Sequence, residues 1–272
     1  MGVGTGALPL QISETWFLNY RFFYKIMTLN RLILHQGNSI TLIRTNPDDA
    51  EFLFEKMYSN YEFMRLFRLN DKAETVEQVR ERLIVRSRAT PAESGYLECL
   101  MVHKTHGAIG IIGAADYSSF HQRAESVTGI FDKQYRSISY GVEGLLLMGD
   151  LIFNAYHLHR FYAYCYGYNR PAQAAMSAGG FELEGIMKEH LYDPVSKQYV
   201  DMNIYAINED QLRQNPLIAR LSKRFLGRDI TQPLMAPLPP PDESRIPATL
   251  YPAQKPPAFV KSGVLKTRFT PN

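Results

Sequence analysis

The stretch Val127-Thr-Gly-Ile-Phe131-Asp-Lys-Gln-Tyr-Arg136-Ser-Ile-Ser-Tyr-Gly141-Val-Glu143 decides how this chain is read. It places an apolar strand, a short polar loop and a helix start in succession. A helix start presents backbone N–H groups that have no partner inside the helix, together with a partial positive charge. It can therefore hold a phosphate group, and Arg136 adds a cation beside it. Downstream, Tyr140 to Tyr156 predicts a helix, because Val142, Leu145, Leu146, Gly149 and Ile152/Phe153 recur at helical spacing. Upstream, Ser126 to Phe131 reads as a strand.

Further out the chain alternates strand and helix signals. Ile40 to Arg44 alternates apolar and polar residues as a strand does. Asn46-Pro47-Asp48-Asp49 then starts a helix with a capping side chain, a proline in the first turn and two acids at the positive end of the dipole. Thr75 with Gln78 makes a capping box for a second helix, ending near Ala89. Tyr96 to His103 and Ala108 to Tyr117 read as a hairpin around Thr105-His106-Gly107. Arg160 to Tyr166 is a strand, and Arg170 to Ala178 a short helix stopped by Gly179-Gly180. Phe181 to Tyr192 and Val200 to Ile207 close the pattern around a turn at Asp193 to Lys197. Hairpins and helices feeding one sheet predict an α+β, or mixed α/β, fold over residues 40–207.

Composition narrows the function. The 272 residues are 45% hydrophobic and 21% charged, with a net charge of +3, as in an ordinary globular protein. So small a surplus without a concentrated basic stripe argues against nucleic acid as partner. The two cysteines, Cys99 and Cys165, cannot build a disulfide framework or a four-cysteine zinc site. They read as reduced core thiols in a cytoplasmic protein. The seven histidines form no metal-ligand spacing, so no metal is expected. No uncharged apolar run reaches the ~18 residues of a membrane span.

Several pieces then resemble one family in the right order. Arg136-Ser-Ile-Ser139-Tyr140-Gly141 resembles the acyl-CoA loop of the GNAT acetyltransferase superfamily, Arg/Gln-x-x-Gly-x-Gly/Ala, with Ser139 in place of the first glycine. Glu143 stands where the RimJ/RimL-like branch often has glutamate. Gly107-Ala-Ile-Gly110-Ile-Ile-Gly113 resembles the hairpin before that loop. Leu158-His159-Arg160 resembles the following strand, and Asn169 to Gly180-Phe181 the family's next helix. Glu184-Gly185-Ile-Met-Lys188-Glu189 and Tyr199-Val200-Asp201 resemble the closing strands.

The resemblance implies a mostly antiparallel mixed sheet, flanked by helices and splayed between the strands at Ser126 to Phe131 and Arg160 to Tyr166. It implies transfer of an acetyl group from acetyl-CoA to a primary amine on a small molecule, an amino sugar, a polyamine or a protein N-terminus. Another acyl-CoA or an acyl-carrier protein is the alternative donor, and a scaffold that has lost transfer the alternative class. Arg136, Ser137, Ile138, Ser139, Tyr140 and Gly141 would hold the pyrophosphate. Asn169 matches the residue that bonds the pantetheine region. A backbone N–H in the strand ending at Phe131 would polarise the thioester. The family's tyrosine acid falls at Met176, and the serine common in the branch falls at Ala172, so neither carries over. Glu125 is the first candidate base, followed by Asp116 and His121. Tyr164, Tyr166 and Tyr168 recur at alternate positions toward the splay, Tyr166 being the candidate acid.

The flanks complete the organisation. Residues 1–39 read as an N-terminal extension, with an aromatic amphipathic helix over 13–26 that packs on the domain or lies on a membrane surface. Residues 208–228 read as an amphipathic helix bearing Arg220, Lys223, Arg224 and Arg228. It packs on the domain or offers a basic surface to an acidic partner such as a carrier protein. Either flank could bury a homodimer interface. Residues 229–272 hold ten of the 16 prolines and read as an extended or disordered tail.

Overall fold

The computed structural model describes residues 31–67 and 73–251. The helix expected over 13–26 and the last part of the tail lie outside them. Eight strands form one sheet: β1 (Ile33–Gln36), β2 (Ile40–Arg44), β3 (Leu97–His103), β4 (Gly107–Ser118), β5 (Arg123–Ile130), β6 (Arg160–Tyr166), β7 (Glu182–Asp193) and β8 (Gln198–Asn208). Their spatial order is β1-β2-β3-β4-β5-β6-β8-β7. Every neighbouring pair is antiparallel except β5 and β6. The sheet thus starts one strand before Ile40, because Ile33 and Leu34 are buried and Ile33 registers with Ile43.

The helices begin where the caps place them. Asn46 accepts from the Asp48 N–H and leads through a 3-10 turn into α1 (Ala50–Leu53). A short α2 follows (Tyr61–Met64). Thr75 accepts from Gln78 at the start of α3 (Val76–Arg88), and Thr90 caps α4 (Pro91–Ser94). These elements cover one face of β1–β4, over Leu100, Val102 and Ile111. On the other face lies α5 (Ile138–Asp150), continued by a π-helical turn over Leu151–Ala155. The period predicted a single apolar stripe for α5. Instead every residue from Gly141 to Asp150 is buried. The second side is covered by later elements whose contacts the local pattern does not encode.

One of these is α8. Residues 208–228 form two helices, α7 (Glu209–Gln214) and α8 (Pro216–Leu226), rather than one. Pro216 has no N–H to continue the helix and disfavours helical geometry at the residue before it. Asn215 is accordingly extended, and its side chain caps the Leu217 and Ile218 N–H groups at 3.0 and 3.1 Å. After β6, α6 (Arg170–Ala178) packs on α5 and ends before Gly180, whose φ of +88° suits only glycine. A Cβ there would also stand 2.7 Å from Ile218.

Residues 228–251 run as a strap back across the β1 side. Ile230, Leu238 and Leu250 are buried. Asp242 exchanges hydrogen bonds with Gln36, Leu250 O accepts from the Ala108 N–H, and the Tyr251 hydroxyl donates to Asp49 at 2.9 Å. The first anchor is buried: Asp150 on α5 accepts from His35 at 2.8 Å, Asn154 at 2.7 Å and Arg228 Nε at 2.9 Å. Among the described residues, no helix is long and apolar enough to cross a membrane.

Candidate active site

The β5–β6 pair holds together for three residues only, Arg123 with Arg160, Ala124 with Phe161 and Glu125 with Tyr162. Beyond Glu125 the strands part, and β6 continues along β8 while β5 continues along β4. Strand alternation shows which backbone groups face the opening. The Phe131 N–H donates to Ile109 O of β4 at 2.9 Å. Successive N–H groups point to opposite sides, so those of Ser126, Thr128 and Ile130 turn away from β4; Ser126 meets β6 in the last rung of the ladder, and Thr128 and Ile130 face the gap. Phe131 is therefore not the polarising donor. Its N–H is already used, and its ring is buried against Phe52 and Phe63.

At the end of this opening stands the N-terminus of α5. Ser137 caps it, accepting from the Ser139 N–H at 3.3 Å, and the two hydroxyls lie 2.7 Å apart. Helix geometry leaves the N–H groups of Ile138 and Tyr140 without an acceptor inside the helix. Arg136 does not reach into the gap. Its guanidinium bonds the carbonyls of Ile130 and Phe131 at 3.2 Å each and so ties the loop to the end of β5. Arg136, Lys133 and Phe131 also line a cleft of about 270 Å³, closed from the other side by Asn60, Arg65 and Leu66. Gly141 is buried, and a Cβ there would meet only Ala175, at 3.9 Å. Packing alone does not demand a glycine at this place. A bare helix start facing a cleft fits the close approach of a pyrophosphate.

The second feature lies on the sheet face turned away from α5. Ala124, Phe161 and Ala163 belong to the core beneath α5, so their neighbours Glu125, Tyr162 and Tyr164 point the other way. With Asp116, Arg123 and Arg160 they line an open cleft of about 660 Å³. Glu125 is only 4% exposed. Asp116 sits in a bulge of β4 with a φ of +46°, accepts from the Tyr162 hydroxyl at 2.5 Å and pairs with Arg123 at 2.9 Å. Burial, together with the bond to Asp116, pushes the Tyr162 hydroxyl well above its usual range. Arg160 is engaged by Glu184.

The sequence candidates thus divide. Glu125 and Asp116 are brought together in this cleft, although Asp116 is already engaged by two partners. His121 lies in the β4–β5 turn, its ring against Phe120. Tyr166, at the end of β6, stacks on Tyr168 at 5.2 Å rather than lining the cleft. Asn169 caps α6, accepting from the Ala172 N–H at 3.3 Å. Met176 is buried in the core. The basic patch is smaller than expected, because Arg228 turns inward to Asp150 and Lys223 pairs with Asp229. Sequence reasoning missed Tyr162, Arg123 and Arg160. Tyr162 shares the alternation of Tyr164 and Tyr166, and that was the available signal. Among the described residues, no group of three His, Cys, Asp or Glu stands ready to hold a metal ion.

Comparison with known proteins bears on this geometry. The GNAT acetyltransferase domain model matches residues 39–182. An uncharacterized N-acetyltransferase, YoaA, of Bacillus subtilis is 25% identical over 184 residues, covering 68% of this chain and 97% of its own length. The crystal structure of the ribosomal-protein-S5-alanine acetyltransferase from Vibrio fischeri superposes with a TM-score of 0.56 at 17% identity, over 65% of this chain and 96% of that one. The ribosomal L7/L12 alpha-N-protein acetyltransferase RimL, solved in complex with coenzyme A, gives 0.56 at 15% identity, over 65% and 98%.

Proposed function

Because the chain belongs to the GNAT acetyltransferase family, we propose that it moves an acetyl group from acetyl-CoA directly to a primary amine within one ternary complex. One observation carries this reading. The parallel pair β5–β6 ends after three residues, beside an uncovered helix start. A thioester arm laid in the gap would have its carbonyl beside the N–H groups of Thr128 or Ile130, and its phosphates at Ile138 to Gly141. The amine would enter from the opposite face, over Tyr162 and Tyr164.

In this reading Glu125 takes a proton from the incoming ammonium, directly or through a water. The neutral nitrogen then attacks the thioester carbon. The backbone N–H groups stabilise the charge that develops on the oxygen. The C–S bond breaks, and the thiolate takes up a proton. Tyr162 is a poor candidate for that proton, since its hydroxyl is committed to Asp116. Tyr164 lines the same cleft and is the candidate for that step. Asp116 serves to hold Tyr162 and Arg123 in place. The similar proteins named for S5 alanine and for the L7/L12 α-amine favour a peptide N-terminus as acceptor, and the open cleft admits one. Incubation with acetyl-CoA and a panel of amine acceptors, read by product mass, tests this. We expect a product heavier by one acetyl group on a peptide α-amine. Donor binding without transfer to any peptide or small amine would instead make this a binding protein.

A further inference from the structure

Four rings form a continuous ladder beside the donor loop, and nothing in the proposed chemistry uses them. Tyr135 of the loop packs on His106 with ring centroids 5.1 Å apart. His106 stacks on His103 at 4.5 Å and 18°. His103 meets Tyr140 of α5 edge-on at 5.0 Å. His103 ends β3 and His106 lies in the β3–β4 turn, whereas the two tyrosines bracket residues 136–139. The turn is itself held from within. The Thr105 N–H donates to His103 Nδ1 at 3.2 Å, which requires that nitrogen to be unprotonated and leaves the proton on Nε2. The turn is also anchored to the sheet edge, where the Lys104 N–H donates to Ser39 O at 3.0 Å.

We propose that His103 and His106 are positioning residues that clamp the donor loop at both ends and so preset the N–H groups of Ile138 to Gly141. The proposal rests on the acyl-CoA reading of that loop. A loop with a small polar cap and one backbone-tied arginine keeps considerable freedom. Ring contacts at Tyr135 and Tyr140 remove it before the ligand arrives, and preorganisation of this kind appears as affinity. His103 is buried and His106 exposed, so His106 can be changed with little disturbance of the core.

The test is His106→Ala alongside His106→Phe, which keeps a stacking ring. In His106→Ala we expect the donor KM to rise roughly threefold to tenfold, the worth of one or two aromatic contacts. We expect kcat and the acceptor KM to stay near wild type, and His106→Phe to restore the donor KM. Hydrogen exchange gives a readout that needs no ligand. The Tyr135, Arg136, Ser137 and Gly141 amides are each bonded within the loop, and they should exchange faster in His106→Ala while the amides of β3 and β4 do not. Unchanged loop exchange and unchanged donor KM in a folded His106→Ala would overturn the clamp. Failure of the wild type to bind any acyl-CoA would overturn the donor reading instead, and the exchange comparison would then decide the clamp alone.

Discussion

Replacing Asp150 by alanine should cost the folded state about 3–5 kcal/mol, because it leaves the buried His35 and Asn154 and the half-buried Arg228 without their acceptor. Asp150 is fully buried and receives hydrogen bonds from His35, Asn154 and Arg228. Those partners join three separate parts of the molecule, namely β1, the end of α5 and the start of the strap. Losing the carboxylate therefore loosens the strap as well as the helix. Denaturant unfolding monitored by circular dichroism measures the effect, and a loss below about 1 kcal/mol would contradict it. The pH dependence has a definite sign. Burial by itself would raise the Asp150 pKa, but the bonds from His35 and Arg228 outweigh it and hold the carboxyl below its usual range. A carboxylate depressed in the folded state stabilises at pH values above its unfolded pKa, about 3.9. That contribution disappears as pH falls through the lower folded value. The difference between wild type and Asp150→Asn should accordingly shrink in acid.

The second large effect concerns Glu125. Glu125→Gln keeps the shape of a side chain that is almost fully buried at the point where β5 and β6 part. It removes the charge of a carboxylate that lines the cleft beside Tyr162 and Arg123. If Glu125 is the base, kcat should fall by about 10²- to 10⁴-fold, the usual worth of general-base catalysis. Acetyl-CoA affinity should change little, because its phosphates are held at the start of α5, away from Glu125. A kcat within about threefold of wild type would remove Glu125 from the mechanism. The base would then be sought in water or in the acceptor itself.

The parts of the fold that sequence made legible are those encoded locally. The period of Val142, Leu145 and Leu146 located α5 together with its π-helical continuation to within a turn, and Asn46, Thr75 and Gly180 marked ends that the structure keeps. Asn215-Pro216 carried a break signal of the same local kind, and the apolar residues on either side of it masked that signal. Beta strand Ile33–Gln36 is short and lies within an apolar run, so no alternation announced it. The donor loop was readable because a helix start and its flanking strand are contiguous in the chain. The acceptor face was only half readable. Glu125 and Asp116 stood out as charges, whereas Tyr162 gains meaning only through its bond to Asp116, 46 residues away. The Asp150 anchor joins residues 115 and 78 positions apart, and only the folded sheet brings them together. The ring ladder is hidden for the same reason. His103 looks like a strand end and His106 like a turn residue until the β5–α5 loop is placed against them.

Calorimetric titration of acetyl-CoA into the purified protein, with Gly141→Ala measured alongside, decides whether the donor sits at the start of α5. The added methyl meets only ordinary contact with Ala175, and alanine favours a helix over glycine by about 1 kcal/mol. The variant should fold at least as well as wild type. We expect one-site acetyl-CoA binding by the wild type, weakened about tenfold or more in Gly141→Ala, where the added methyl would crowd the close approach of the pyrophosphate to the helix start. No acetyl-CoA binding by a folded wild-type protein, or equal binding by both, would contradict the placement of the donor at the start of α5.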